Sequence, residues 1–65
     1  MPITINTIHG TINLEQENEG WFYSITTKDK YFIGGNEVPM SKEDAIESAK
    51  GILEHYELDP DYYRI

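Results

Sequence analysis

The chain has 65 residues and no cysteine, and twelve acidic against five basic residues give it a net charge of −7. Residues 1–65 have room for a single domain, because the commonest domains contain about 100–150 residues. The lack of cysteine excludes disulfides and thiolate metal sites. The negative charge repels nucleic acid phosphates, so we expect no direct nucleic acid binding, and any charged protein partner to be basic.

The amino terminus lacks the basic segment and long apolar run of a signal peptide. The longest apolar runs, such as Trp21-Phe22-Tyr23, are far shorter than the roughly 20 residues of a transmembrane helix. We therefore expect a cytoplasmic protein that does not bind membranes.

Alternating apolar and polar residues, with aromatic and β-branched side chains, dominate the first half of the chain. This period of two is typical of strands that bury one face. We predict four antiparallel strands over residues 3–8, 11–16, 21–27 and 30–34. Their core face comprises Ile3, Ile5, Ile12, Leu14, Tyr23, Ile25 and Phe32.

Turn signals set the pairing of the first three strands. We interpret His9-Gly10 as a two-residue turn, which places Ile5 opposite Leu14. The polar segment 17–20 then forms the next turn and places Leu14 opposite Tyr23. Both registers keep the large apolar residues on one face.

The third turn determines which residue of the last strand faces the core. A two-residue loop at Lys28-Asp29 places Phe32 opposite Ile25. A slip of one residue would exchange Phe32 for its neighbours, because successive side chains of a strand point to opposite faces.

The last third of the chain changes to the period of a helix, predicted over residues 42–57. Ser41 is a natural N-cap with Asp44 three residues later, and Asp59-Pro60 ends the helix. The tail, 58–65, is aromatic enough that we expect it to dock. The apolar stripe of the helix comprises Ala45, Ile46, Ala49, Ile52, Leu53 and Tyr56. The sequence thus predicts an α+β fold, a four-stranded antiparallel β-meander with one C-terminal helix packed on one face.

One helix covers only one face of such a sheet. In the predicted register the uncovered face carries four large apolar side chains with a polar rim: Ile8, Phe22, Tyr31 and Ile33. Clustered exposed apolar residues often mark an interface, so we predict that this patch binds a protein partner or a second copy of the chain. In the alternative, the tail covers the patch through Tyr62, Tyr63 and Ile65.

The outer face of the predicted helix is acidic. Glu43, Glu47 and Glu54 align along it, with Lys50 and Gly51 beside them. Such a row could imitate nucleic acid phosphates and occupy the site of a basic protein, or it could be an ordinary solvated helix face. Gly51 costs about 1 kcal/mol relative to alanine within a helix. Close approach of a partner would explain this glycine, and so would a tolerated neutral substitution.

No catalytic or metal motif is evident. His9 and His55 are far apart in sequence and would need carboxylates from distant elements to bind zinc. Ser24 and Ser41 have no evident histidine base, and a serine nucleophile needs one. We therefore expect no enzyme activity, no metal and no cofactor.

The segment from Glu17 to Glu57 resembles the HicB-like antitoxin domain in its layout: an acidic turn with glycine, an aromatic strand, a glycine-bearing loop and a capped acidic helix. The residues that carry the resemblance are Glu17-Asn18-Glu19-Gly20-Trp21-Phe22-Tyr23-Ser24 and Ser41-Lys42-Glu43-Asp44-Ala45-Ile46-Glu47-Ser48-Ala49-Lys50. The resemblance implies a small protein that neutralises a toxin by binding it.

Taken together, these features favour a small acidic protein-protein interaction module, such as an inhibitor or an antitoxin-like protein. Two alternatives stay open. One is a homodimeric structural domain, and the other is a nucleic-acid-mimicking inhibitor of a basic protein.

Overall fold

The computed structural model describes residues 2–63 as a four-stranded antiparallel sheet followed by one helix. The strands lie side by side in the order of the sequence, which confirms the predicted α+β arrangement. The elements are β1 (Ile3–Thr7), β2 (Gly10–Glu17), β3 (Gly20–Thr27), β4 (Phe32–Ile33), α1 (Lys42–Leu58) and a 3₁₀ turn (Pro60–Tyr62).

The turn between β1 and β2 lies one residue earlier than predicted. Ile5 pairs with Ile12 rather than with Leu14, and the loop consists of residues 8 and 9. Gly10 already belongs to β2, where its φ is 150° and a Cβ atom would meet the backbone of β3 at 2.5 Å. Only glycine fits there without strain, so Gly10 follows the turn. The predicted pairing was wrong by two residues, a shift that keeps every side chain on its predicted face.

The loop between β3 and β4 is one residue longer than predicted. Residues 28–30 form it, and Lys30 adopts the left-handed conformation with a φ of 69°. Such a residue commonly completes a three-residue hairpin loop. The extra residue places Ile33 opposite Ile25 and turns Phe32, which is 64% exposed, to the other face. The assignment of Phe32 to the core was therefore wrong, and Ile33 takes that place.

Helix α1 packs over β2 and β3 rather than over β1. Leu14 lies opposite Tyr23, as predicted. Ile3 and Ile5 contact the core but stay half-buried at the edge of the sheet. The buried cluster comprises Ile12, Leu14, Ile25, Ala45, Ala49 and Leu53. The apolar stripe predicted for the helix therefore does face the sheet.

Helix α1 begins and ends at the predicted signals. The Ser41 hydroxyl accepts a hydrogen bond from the backbone N–H of Asp44 at 3.1 Å, and such a cap is typically worth about 1 kcal/mol. Met40, which precedes the cap, packs against the core. Asp59 terminates the helix ahead of Pro60.

The outer edge of β3 is completed by a side chain. Strand β4 has only two residues, and further along β3 Trp21 exchanges backbone hydrogen bonds of 2.8 and 3.2 Å with Met40. Between these contacts, Asn36 accepts from the N–H of Tyr23 at 2.9 Å and donates to the carbonyl of Trp21 at 3.0 Å. Gly35 lies so close to the Tyr23 carbonyl that no side chain fits. The segment 34–36 is therefore held against β3 without being a strand.

Candidate protein-interaction surface

The face of the sheet opposite α1 is not covered by any other described element. The alternation of the strands places on it the residues that we call the open face: Thr4, Asn6, Thr11, Asn13, Glu15, Glu17, Phe22, Ser24, Thr26 and Phe32. Two cross-strand hydrogen bonds of 3.1 Å link Thr4 to Asn13 and Thr11 to Asn6. The open face is thus a polar, hydrogen-bonded surface with two phenylalanines.

The predicted apolar patch does not exist as one surface. Phe22 lies on the open face, as predicted, but Ile33 lies on the core side of the sheet. Tyr31 stacks on a tyrosine of α1, with ring centroids 6.0 Å apart, and Ile8 lies in the turn after β1, 79% exposed. Phe32 lies on the open face, where Tyr31 and Ile33 were predicted. The longer β3–β4 loop is the physical reason why the residues of β4 lie on the faces opposite to those predicted. The earlier β1–β2 turn is the reason why Ile8 lies in a turn and not in a strand.

Phe22 borders a shallow depression of about 230 Å³ on the open face. Its ring is half-buried, and the depression is also lined by Pro2, Asn13, Glu15 and Ser24. Small-molecule pockets usually occupy about 300–1,000 Å³ and enclose their ligand. The depression is smaller than such pockets and open to solvent.

Two carboxylates lie next to each other on the open face, and one of them, Glu15, lines this depression. Glu15 and Glu17 are two residues apart on β2 and therefore project from the same face. A hydrogen bond shared with Glu15, together with repulsion from its charge, raises the pKa of Glu17 above its ordinary value. Both side chains are exposed, so the repulsion is moderated by solvent. A cation placed between the two carboxylates would relieve it.

The acidic face of the helix is exposed as predicted. Glu43, Glu47 and Glu54 lie on the side of α1 away from the sheet, and Lys50 is exposed beside them. A Cβ atom added to Gly51 would meet nothing within 4 Å. Nothing in the described part of the chain therefore requires glycine at this position.

The described part of the tail lies against α1 and not over the open face. The hydroxyl of Tyr63 is 2.8 Å from Nδ1 of His55, and the hydroxyl of Tyr31 donates to the Tyr63 carbonyl at 2.7 Å. Burial is the main cause that raises the pKa of Tyr63. Tyr62 is 64% exposed and packs edge-on against His55. The alternative in which the tail covers the patch is thus wrong for these two tyrosines, and Ile65 lies outside the described residues.

The two histidines have separate partners. Nδ1 of His9 is 2.8 Å from a carboxylate oxygen of Glu57, and this contact is the main cause that lowers the pKa of Glu57. His55 contacts the tail. Within residues 2–63, no three side chains of His, Asp or Glu are grouped as metal ligands. Ser24 lies on the open face, and Ser41 caps the helix.

The proximity of Glu15 and Glu17 on the open face was missed from the sequence. The signal was available, because residues two apart on a strand share a face. Phe32 was also missed, because the position of Phe32 on the open face depends on a loop length that the sequence did not reveal.

No protein-family model, curated protein or solved structure matches this chain. No helix among the described residues has the length and apolar character needed to cross a bilayer.

Proposed function

We propose that this protein is a small acidic interaction module without enzyme activity, and that its open face binds a basic segment of a protein partner. The observation that carries the proposal is the depression that Phe22 and Glu15 line, with Glu17 next to Glu15 on the same face of β2. An aromatic anchor next to charge of one sign suits a partner that offers an apolar side chain flanked by lysine or arginine.

The physical argument concerns what these side chains contribute to the isolated fold. Phe22 stays half-buried on a face that contributes nothing to the core, and the two carboxylates repel each other. Neither feature stabilises the monomer. In a complex, both would become favourable, because buried aromatic residues carry much of the binding energy of interfaces and complementary charges give specificity and faster association.

The resemblance to HicB-like antitoxins supports a more specific form of this proposal. One of the two segments that carry it, residues 17–24, contains Glu17 and Phe22 and thus half of the proposed site. In this form the partner is a basic toxin or enzyme whose activity is inhibited when the open face binds it.

The test compares two double variants that remove the same amount of charge. Glu15→Gln with Glu17→Gln alters the open face, and Glu43→Gln with Glu47→Gln alters the helix. The tagged protein captures its partner from a lysate of the native host, and the affinity of the purified partner is then measured for both variants. We expect the open-face variant to lose at least tenfold in affinity for the partner, about 1.4 kcal/mol of binding free energy, and the helix variant to change little in affinity. Equal affinities for both would contradict the proposal.

A second candidate function is imitation of nucleic acid by α1. It is favoured by the alignment of Glu43, Glu47 and Glu54 on the solvent side, with open space at Gly51. In that case the helix variant should lose the partner while the open-face variant keeps it. Binding should also weaken steeply with salt, because it depends on exposed charges.

A further inference from the structure

Strand β1 forms a free edge of the sheet, where alternate residues offer unpaired backbone groups. The hydrogen bonds at the other edge of the sheet, along β3, show which residues of β1 these are. Trp21 exchanges hydrogen bonds with Met40, and the N–H of Thr27 donates to the carbonyl of Tyr31. The odd-numbered residues of β3 therefore direct their backbone groups away from β2. Because these directions alternate along a strand, the even-numbered residues of β3 bond to β2.

The directions of the backbone hydrogen bonds alternate in the same way along β2 and β1. Asn13 bonds to β3, so Ile12 bonds in the other direction, to its partner Ile5. The odd-numbered residues of β1 are thus paired with β2. Thr4 and Asn6 direct their N–H and C=O groups to the free edge.

Within residues 3–7, this edge lacks the features that usually prevent strands from pairing. Edge strands are commonly protected by charged residues, by proline within the strand, by a bulge or by a covering helix. Strand β1 (Ile3–Thr7) is uncharged in a chain of net charge −7, it is regularly paired along its whole length, and α1 lies over β2 and β3 instead. Ile3 and Ile5 are left half-buried beside the edge.

We propose that β1 pairs antiparallel with β1 of a second copy, about a two-fold axis at Ile5. Thr4 of each copy then lies opposite Asn6 of the other, and these two pairs exchange backbone hydrogen bonds. The result is a continuous eight-stranded sheet with both helices on the same face. This proposal does not rest on the proposed function, because the open face stays accessible.

Charge favours a second copy as the occupant. Two copies that each carry a charge of −7 repel each other over most of their surface, and β1 is a segment where they meet without like charges. A strongly charged partner strand would find no complementary charge here. The pairing also brings the 79% exposed Ile8 opposite Pro2 of the other copy, and it packs the half-buried Ile5 against Ile5 of that copy.

Two double variants test both the dimer and its register. Thr4→Lys with Asn6→Lys places lysines opposite each other across the proposed axis, and like charges in that position are destabilising. Thr4→Lys with Asn6→Glu replaces the same two side chains but places opposite charges across the axis. Both positions are exposed, so both variants should fold, which circular dichroism would verify.

Sedimentation equilibrium would measure the mass of each protein. We expect twice the 7.5 kDa chain mass for the wild type and for the Lys/Glu variant, and the single chain mass for the Lys/Lys variant. General charge repulsion predicts the reverse ranking, because the two lysines lower the net negative charge. A monomeric wild type, a dimeric Lys/Lys variant, or dissociation of both variants would overturn the proposal. The Glu15→Gln, Glu17→Gln variant should stay dimeric, which separates this test from that of partner binding.

Discussion

The side chain of Asn36 continues the sheet beside Tyr23, whose backbone N–H donates to Asn36 Oδ1 at 2.9 Å. The amide nitrogen of Asn36 donates in turn to the carbonyls of Trp21, at 3.0 Å, and Val38, at 2.7 Å. One side chain therefore satisfies three backbone groups at a position that the short strand β4 does not reach. Its removal would leave them without these partners.

Replacement of this side chain should be costly. We expect Asn36→Ala to lower the free energy of unfolding by about 1–3 kcal/mol, the range for partly buried hydrogen-bonding groups that lose their partners. Urea denaturation followed by circular dichroism would measure it. Asn18→Ala, in an exposed turn, is the matched control and should change stability by less than about 0.5 kcal/mol. Equal effects of the two substitutions would show that the Asn36 contacts contribute little.

Gly35→Ala should also destabilise the fold strongly. A Cβ atom at this position would overlap the carbonyl of Tyr23, so the segment would have to move away from β3. Gly34→Ala is the control, because a Cβ atom there meets nothing within 4 Å. Thermal unfolding should show a much lower midpoint for Gly35→Ala than for Gly34→Ala, and the reverse order would contradict the described geometry.

Gly51→Ala should act in the opposite direction. The helix has open space at this position, and alanine is favoured over glycine within a helix by about 1 kcal/mol. We expect the free energy of unfolding to rise by about 0.4–1 kcal/mol in urea denaturation. If affinity for a captured partner falls while stability rises, the partner approaches α1 at Gly51. A loss of stability would mean that the helix is distorted there.

The contact between His9 and Glu57 should make stability depend on acidic pH. It lowers the pKa of Glu57 below the ordinary 4.5, so its contribution is present above that value and is lost as the pH falls through the folded-state pKa. The Glu57→Gln variant should be less stable than the wild type at neutral pH, and the difference should shrink on acidification. The raised pKa of Glu17 has the opposite effect on stability: its contribution is present below the ordinary value and is lost as the pH rises through the folded-state pKa. Carboxyl NMR titration of both residues would check the two directions.

Docking of the tail should weaken at alkaline pH. Burial raises the pKa of Tyr63 above the ordinary 10.0, so the contribution of its neutral hydroxyl is present below that value and is lost as the pH rises through the folded-state pKa. Absorbance of tyrosinate should show a component from Tyr63 that ionises late, and Tyr63→Phe should remove it. Tyr62→Phe, at the more exposed neighbour, is the control. Its titration should leave the late component in place.

The sequence predicted the structure correctly where a local signal and a tertiary contact favour the same conformation. Ser41 has the side chain of a helix cap and performs that role, and the apolar period of α1 corresponds to its buried stripe. The pairing of Leu14 with Tyr23 also followed from a strong turn signal. Each of these features depends on residues close together in the chain.

The sequence did not suffice where one backbone conformation decides the outcome. Lys30 adopts the left-handed conformation that lysine seldom takes, and this choice exchanges Phe32 and Ile33 between the faces. The role of Asn36 was equally hidden, because it depends on a gap in the sheet that only the folded chain creates. The open face was therefore predicted to exist, but of the four apolar residues assigned to it only Phe22 lies there, and Phe32 was missed.

The meander also determines the order in which this protein can mature on the ribosome. Every strand pairs with its neighbour in sequence, and such local pairing forms quickly. The helix that shields Ile12 and Ile25 is synthesised after all four strands. Until α1 has formed and packed, the sheet thus exposes both its apolar surface and the edge of β1. Chains that terminate within α1 would keep that surface exposed, which makes them prone to aggregate and to be degraded by proteases.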